Sequence, residues 1–267
     1  MSLLVSIVTP SFNQARFLKA ALESVSVQSY LPIEHIVIDG GSTDGSCQIL
    51  ASTPNIKWIS EPDHGQVHAI NKGFEMASGD ILAWLNSDDM YCPTTVDAAV
   101  SALNHTGADL VYGDVEIIDE GGHPLKISRG IPFDFRILLY GINYIGQQTV
   151  FFRRDLLKRA GPLREEFDNA FDFELWLRFA QYGRFFYAPD VRARIRHHSA
   201  AKSIARAHIT SAERRRIRAE YWSKGGWPLI FSRPPLFTFL NLSYRLKRKL
   251  LIRLCRDENR DRRPRCY

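Results

Sequence analysis

At 267 residues and 30.6 kDa, the chain has room for one large α/β domain and a short appendage, and 45% hydrophobic with 24% charged residues excludes a disordered or fibrous protein. The four cysteines, Cys47, Cys92, Cys255 and Cys266, form no CxxC pair, which argues against a zinc site or a disulfide framework. The formal net charge of +6 belongs to the end of the chain: residues 241–267 carry +7, leaving −1 on residues 1–240, so the basic balance does not describe the body.

The opening run, Leu3–Val8, is strand-like and has neither a basic leader nor a small-residue cleavage site, so a mature cytoplasmic start is expected. Apolar runs at Leu4–Val8, Ile33–Ile38, Ile56–Ile59 and Ile81–Leu85 are short, β-branched and bounded by turn residues, as buried strands are. Between the first two, Phe17, Leu18, Ala21, Leu22 and Val25 recur at helical spacing, and Val67, Ile70, Phe74 and Ala77 do the same between the third and fourth. Asp39–Gly45 is a turn before a short helix. This alternation predicts a doubly wound, mostly parallel sheet. After Leu110–Tyr112 the pattern loosens into a hairpin around Gly121-Gly122 and a strand at Val150–Phe152. A helix from about Phe171 to Gln181 follows, burying Phe173, Trp176, Leu177 and Ala180. One domain, residues 1–222, is expected to end near Lys224-Gly225-Gly226, with 223–267 as a basic, aromatic-rich extension.

The stretch Leu82–Asp89 carries the strongest chemical signal. A buried strand stops at Asn86-Ser87-Asp88-Asp89, a cluster of oxygen-bearing side chains placed where open α/β sheets hold ligands, suited to a divalent cation bridging a diphosphate. The competing reading is a cap for the helix after Pro93. Thr9–Asn13 follows the first strand without GxGxxG, and no GxxxxGK[ST] loop occurs, which disfavours nicotinamide oxidoreductases and P-loop enzymes. Asp39 ends the second strand, either to accept from a nucleoside's base or ribose or to form an Asx-turn before two glycines.

Val5–Asn13 and Val37–Gly45, then Glu61–Gly65, Ala69–Gly73, Asn86–Asp89, Gln147–Thr149, Asp172–Arg178 and Arg196–His198 occur in an order and spacing that resemble family 2 glycosyltransferases of the GT-A fold. The resemblance spans about residues 3–205. It implies an inverting transfer of a sugar from a nucleoside diphosphate sugar, by default a UDP-sugar, to a saccharide or lipid-linked acceptor. Thr9, Pro10 and Asp39 would line the nucleoside pocket, with Asn13, Lys72, Asn86 and Ser87 as further donor contacts. Asp88 and His198 would hold Mn²⁺ or Mg²⁺. Asn86 stands where the family commonly has the first Asp, a departure that removes a charge. Asp172 matches the catalytic base, with Phe171 where a Glu is usual; the alternative is a capping box formed by Asn169 and Asp172. Glu174, on a different face, serves structure or acceptor binding, and Gln147 and Gln148 face sugar or acceptor or a hydrogen-bonded core. Arg196 and Lys202 would add positive charge near the leaving group.

The tail joins Trp227–Phe231 and Leu236–Leu240 to the basic, amphipathic Tyr244–Leu254, which is too short an apolar run to span a membrane. Two readings stand: an interfacial helix on an anionic cytoplasmic leaflet, in polysaccharide or glycolipid assembly, or a helix packed on the domain. No recognition motif accompanies the charge, so no nucleic-acid partner is expected. The rival functions are a sugar nucleotidyltransferase, which should carry a Gly-rich, Arg-containing loop after the first strand, and a non-catalytic binder of the same fold.

Overall fold

The computed structural model describes residues 2–198, 202, 206–224, 242–243 and 246–252. The chain opens as β1 (Val5–Ser11), α1 (Ala15–Ser26), β2 (Ile33–Asp39), α2 (Ser46–Ser52), β3 (Ile56–Ser60), α3 (Gln66–Met76) and β4 (Ile81–Trp84). This is the alternation that the apolar runs predict. β5 (Met90–Tyr91), α4 (Thr95–Thr106), β6 (Leu110–Ile118) and the hairpin strand β7 (Pro124–Ser128) follow. Then come β8 (Phe151–Arg153), α5 (Arg154–Ala160), α6 (Phe171–Phe179), β9 (Phe185–Arg196) and α7 (Ala207–Lys224).

The strands make one sheet in the order β3-β2-β1-β4-β8-β6-β9-β5, with β7 on β6. β1 pairs in parallel with both β2 and β4, β2 with β3, and β6 with β9. Antiparallel β8 is wedged between β4 and β6 and separates the two parallel groups.

The period-two geometry of strands sends alternate residues to opposite cores. On β4, Leu82 and Trp84 enter a core with α3 and α6, where Trp84 stacks on Trp176 at 5.4 Å. Ile81 and Ala83 enter a second core with α4. Residues of α1, β2 and α2 close a third around Leu18, Leu22, Val37 and Leu50. Helices on both faces explain why β1 is buried along its whole length. Gly73 lets α3 lie flat on β1, because a Cβ there would run into Val8.

The long β9 is the main element that the loose sequence pattern hid. Buried Cys92 is disulfide-bonded, a single bond rather than a framework, and Cys47 is free. Of the tail, Trp227–Phe231 and Leu236–Leu240 lie outside the described residues. Within residues 246–252, which are helical, Leu251 and Ile252 pack on the main core while Leu246 and Leu250 stay exposed.

Candidate active site

Parallel strands all present their C-terminal ends on the same side, and the loops leaving β1, β2 and β4 there open on a cleft of about 1320 Å³. A single small-molecule site occupies roughly 300–1,000 Å³, so the cleft has room for two substrates. Pro10, Phe12, Gly40, Asp63 and Gln66 line it, as do Asn143, Asp172, Arg214 and Arg248. Asn86–Asp89 and the Gln147-Gln148 turn line it as well.

Asp88 and Asp89, adjacent in sequence, point different ways. Asp88 Oδ2 meets His198 Nε2 at 3.0 Å, and the His198 ring rests 4.9 Å from Phe17. His197 is exposed, whereas His198 is buried beside Asp88. Asp89 is buried and accepts from Gln148 Nε2 at 2.6 Å, the Arg196 backbone N–H at 3.0 Å and Asn86 Nδ2 at 3.1 Å. Burial, reinforced by the adjoining Asp88 charge, pushes its carboxyl up. Arg196 reaches the Asp88 and Glu120 carbonyls at 3.2 and 2.7 Å. The two carboxylates thus divide the work: Asp89 ties β9 to the loop after β4, and Asp88 is left facing the cleft with an imidazole beside it.

Asn86 belongs to the same network. Its Oδ1 accepts from Gln66 Nε2 at 2.8 Å, and its Nδ2 reaches Asp89 and, at 3.3 Å, Gln147 Oε1. Gln147 Nε2 in turn donates to the Trp84 carbonyl at 2.7 Å. Both glutamines therefore have partners, as buried amides require, and still line the cleft. Ser87 lines it too, nearly buried.

Asp172 sits in the first turn of α6. Its Oδ2 accepts from Asn143 Nδ2 at 2.9 Å and its Oδ1 from the Phe173 N–H at 2.6 Å. The capping-box alternative does not form: the helix has Ala170 at its N-cap and no side-chain cap, and Asn169 Oδ1 is buried without a partner. Desolvation by the surrounding protein raises the Asp172 pKa, and the Arg214 charge acts against that rise. A carboxylate with raised proton affinity, lining a two-substrate cleft, can take a proton from a hydroxyl.

Other predicted residues hold the cleft's frame. Thr9 is buried, its Oγ1 2.9 Å from His35 Nε2. Asp39 is fully buried and accepts from the Ser42 N–H and the Ser42 and Ser60 hydroxyls at 2.8, 2.6 and 2.7 Å, so the Asx-turn reading describes its geometry. Asn13 has positive φ (51°) and exchanges hydrogen bonds with the Ser42-Thr43 turn. Lys72 pairs with Glu61. Glu174 is buried between Arg178 and Arg164, off the cleft. Lys202 lines the cleft but is held by Asp168. Sequence reasoning missed Phe12, whose ring is 59% exposed on the rim. It also missed Asn143, Arg214 and Arg248, which carry no local motif; for Phe12, a large apolar residue directly after a strand end was the available signal.

The chain matches the model of a family described as glycosyl transferase family 2 over residues 6–161. It is 39% identical over 184 residues to an uncharacterized glycosyltransferase of Mycobacterium tuberculosis, covering 66% of this chain and 68% of that one. It is 33% identical over 180 residues to a PGL/p-HBAD biosynthesis glycosyltransferase of Mycobacterium bovis, covering 65% and 68%. Residues 1–349 of S. aureus TarS, solved with UDP, superpose with a TM-score of 0.61 at 19% identity, over 86% of this chain and 72% of that one. A mannosyltransferase from Pyrobaculum calidifontis, solved with GDP-Man and Mn²⁺, gives 0.61 at 21% identity, over 90% and 70%.

Proposed function

The chain belongs to glycosyl transferase family 2, and from that premise we propose that it moves a sugar from a UDP-sugar to an acceptor hydroxyl with inversion at the anomeric carbon. The observation that carries this reading is the placement of Asp172 and Asp88 in one cleft with room for both substrates. Asp172 removes the proton of the acceptor hydroxyl as its oxygen bonds to the anomeric carbon. The bond from that carbon to the diphosphate oxygen breaks, UDP departs, and the proton passes from Asp172 to solvent.

The end of the cleft at Pro10, Phe12 and Gly40 takes the nucleoside, with the Phe12 ring offering a face for a base to stack on. The Asp39, Asn13 and Ser42 hydrogen bonds keep the two loops there in register. Among the described residues, no three His, Cys, Asp or Glu side chains converge on one point. Asp88 and His198 would supply a carboxylate oxygen and an imidazole nitrogen, a donor pair whose chemistry fits Mn²⁺ or Mg²⁺. Such a cation would offset the charge on the departing diphosphate. TarS and the mannosyltransferase, solved with UDP and with GDP-Man and Mn²⁺, support this donor chemistry by fold.

Leu246, Lys249 and Leu250, exposed on the helical stretch that docks through Leu251 and Ile252, support a further reading. The tail rests peripherally on an anionic cytoplasmic membrane surface, in polysaccharide or glycolipid assembly. Among the described residues no helix is long and apolar enough to cross a membrane.

Calorimetric titration with UDP, GDP and dTDP, each with and without Mn²⁺, tests the donor site. Saturable UDP binding that weakens at least tenfold in Asp88→Ala is the expected result. Binding to none of the three by folded protein would overturn it.

A further inference from the structure

Beyond Asp172 the cleft wall carries two guanidinium groups that the transfer chemistry leaves unused. Arg214 comes from the middle of α7 and Arg248 from the helical stretch 246–252, and both line the cleft. Arg214 lies over the Phe173 ring at 5.7 Å. Arg248 donates through Nη2 to the Arg129 carbonyl at 3.1 Å. The neighbouring cations are neutralised: Lys202 and Arg206 share Asp168, and Lys247 takes Asp134. Among the described residues no carboxylate stands within ion-pairing distance of Arg214 or Arg248, and the Nε of each is buried without a hydrogen-bond partner.

A buried guanidinium N–H that lacks an acceptor is costly, and two on one wall compound the cost. A planar fork of donors finds its best complement in a carboxylate or phosphate supplied by a ligand. Their location identifies which ligand. Arg214 is close enough to Asp172 to act on its charge, and Arg248 acts in the same way on Tyr144, the neighbour of Asn143, which binds Asp172. Both arginines therefore stand in the neighbourhood of the base, on the same cleft. The proposed function places the donor's diphosphate at Asp88 and His198, so a guanidinium pair near Asp172 points to an anion on the acceptor.

We propose that Arg214 and Arg248 form an anion subsite and that the acceptor bears a phosphate or diphosphate group near the hydroxyl that receives the sugar. The inference rests on the transferase reading, in which Asp172 marks the acceptor end. Two sources share the chemistry, a lipid-linked diphosphate and a soluble sugar phosphate.

The test is calorimetric titration of the full chain, saturated with UDP and Mn²⁺, using decyl diphosphate in one arm and glucose 1-phosphate in the other. One equivalent of either should bind, at least tenfold more weakly in Arg214→Gln and in Arg248→Gln, with UDP affinity unchanged; the tighter arm names the source. Arg214→Gln alone decides the matter if Arg248→Gln loosens the tail. Absence of binding in both arms, or binding indifferent to Arg214→Gln, overturns the subsite while UDP still binds. Loss of UDP binding in the wild-type protein would instead strike the transferase reading.

Discussion

Buried ionisable residues on β2 show how single side chains set this protein's tolerance of acid. Glu34 accepts from the Ser6 hydroxyl, from the Ser78 N–H and hydroxyl, and from Lys57. Burial opposes its charge, but these donors win and hold its carboxyl at about 2, against an ordinary 4.5. His35, next to it, is buried against Thr9, and desolvation lowers its pKa to about 4 from 6.5. Both folded-state values lie below the unfolded ones, so the unfolded chain binds more protons on acidification. The His35 contribution is complete above 6.5 and lost as pH falls towards 4; that of Glu34 is complete above 4.5 and lost as pH falls towards 2. Each is worth on the order of 2 kcal/mol. Between pH 6.5 and pH 4 the urea midpoint of His35→Gln should therefore fall less than that of the wild type, and below pH 4.5 that of Glu34→Gln should do the same. A His35→Gln profile parallel to the wild type's from pH 7 to pH 4 would contradict this assignment.

At the scale of elements, α6 carries Asp172, the proposed base, and its N-terminus is capped from another helix. Glu213 of α7 accepts from the Asp168, Asn169 and Ala170 N–H groups at 2.8, 2.9 and 2.7 Å. One carboxylate thus meets three amides near the positive end of the α6 dipole. Glu213→Ala should cost about 1–3 kcal/mol in urea unfolding, since hydrogen bonds to a charged group are lost. Asn169→Ala should cost less than half as much; equal losses would show that the local cap matters after all. The sequence offered Asn169 and Asp172 at capping-box spacing, and only tertiary packing brings a residue 43 positions on from Ala170 into that role. β9 was hidden for a related reason. Pro189-Asp190 looks like a turn, yet it sits where the β6–β9 register shifts, and Val191 and Ala193 still face the core. The helices α1 and α3 were legible because their apolar stripes are local and periodic.

For the whole molecule, the sheet brings distant loops to one cleft, and this explains which parts of the site were readable. Asn86–Asp89 and the loops after β1 and β2 follow apolar strands directly, so their positions at strand ends can be inferred from the chain alone. Two residues near those strand ends frame the cleft rather than line it: Thr9 on β1 and Asp39 at the end of β2 are legible as positions, but their hydrogen-bond partners come from other strands. The wall proposed for the acceptor depends on α7 and on residues 246–252, far from Asp172 in sequence, and no local pattern marks it. The two groups of cleft residues therefore differ in legibility because one is built from consecutive βα units and the other from packing at long range. The family assignment fixes the class of chemistry, and the proposed function assigns its proton transfer to Asp172. The decisive measurement is the rate of UDP release from a UDP-sugar, with water or an added saccharide as acceptor, for the wild type and Asp172→Asn. The substitution should lower kcat by about 10²–10⁴ while UDP binding is retained, as expected for removal of a general base. An Asp172→Asn protein that binds UDP and turns over at the wild-type rate would contradict the account.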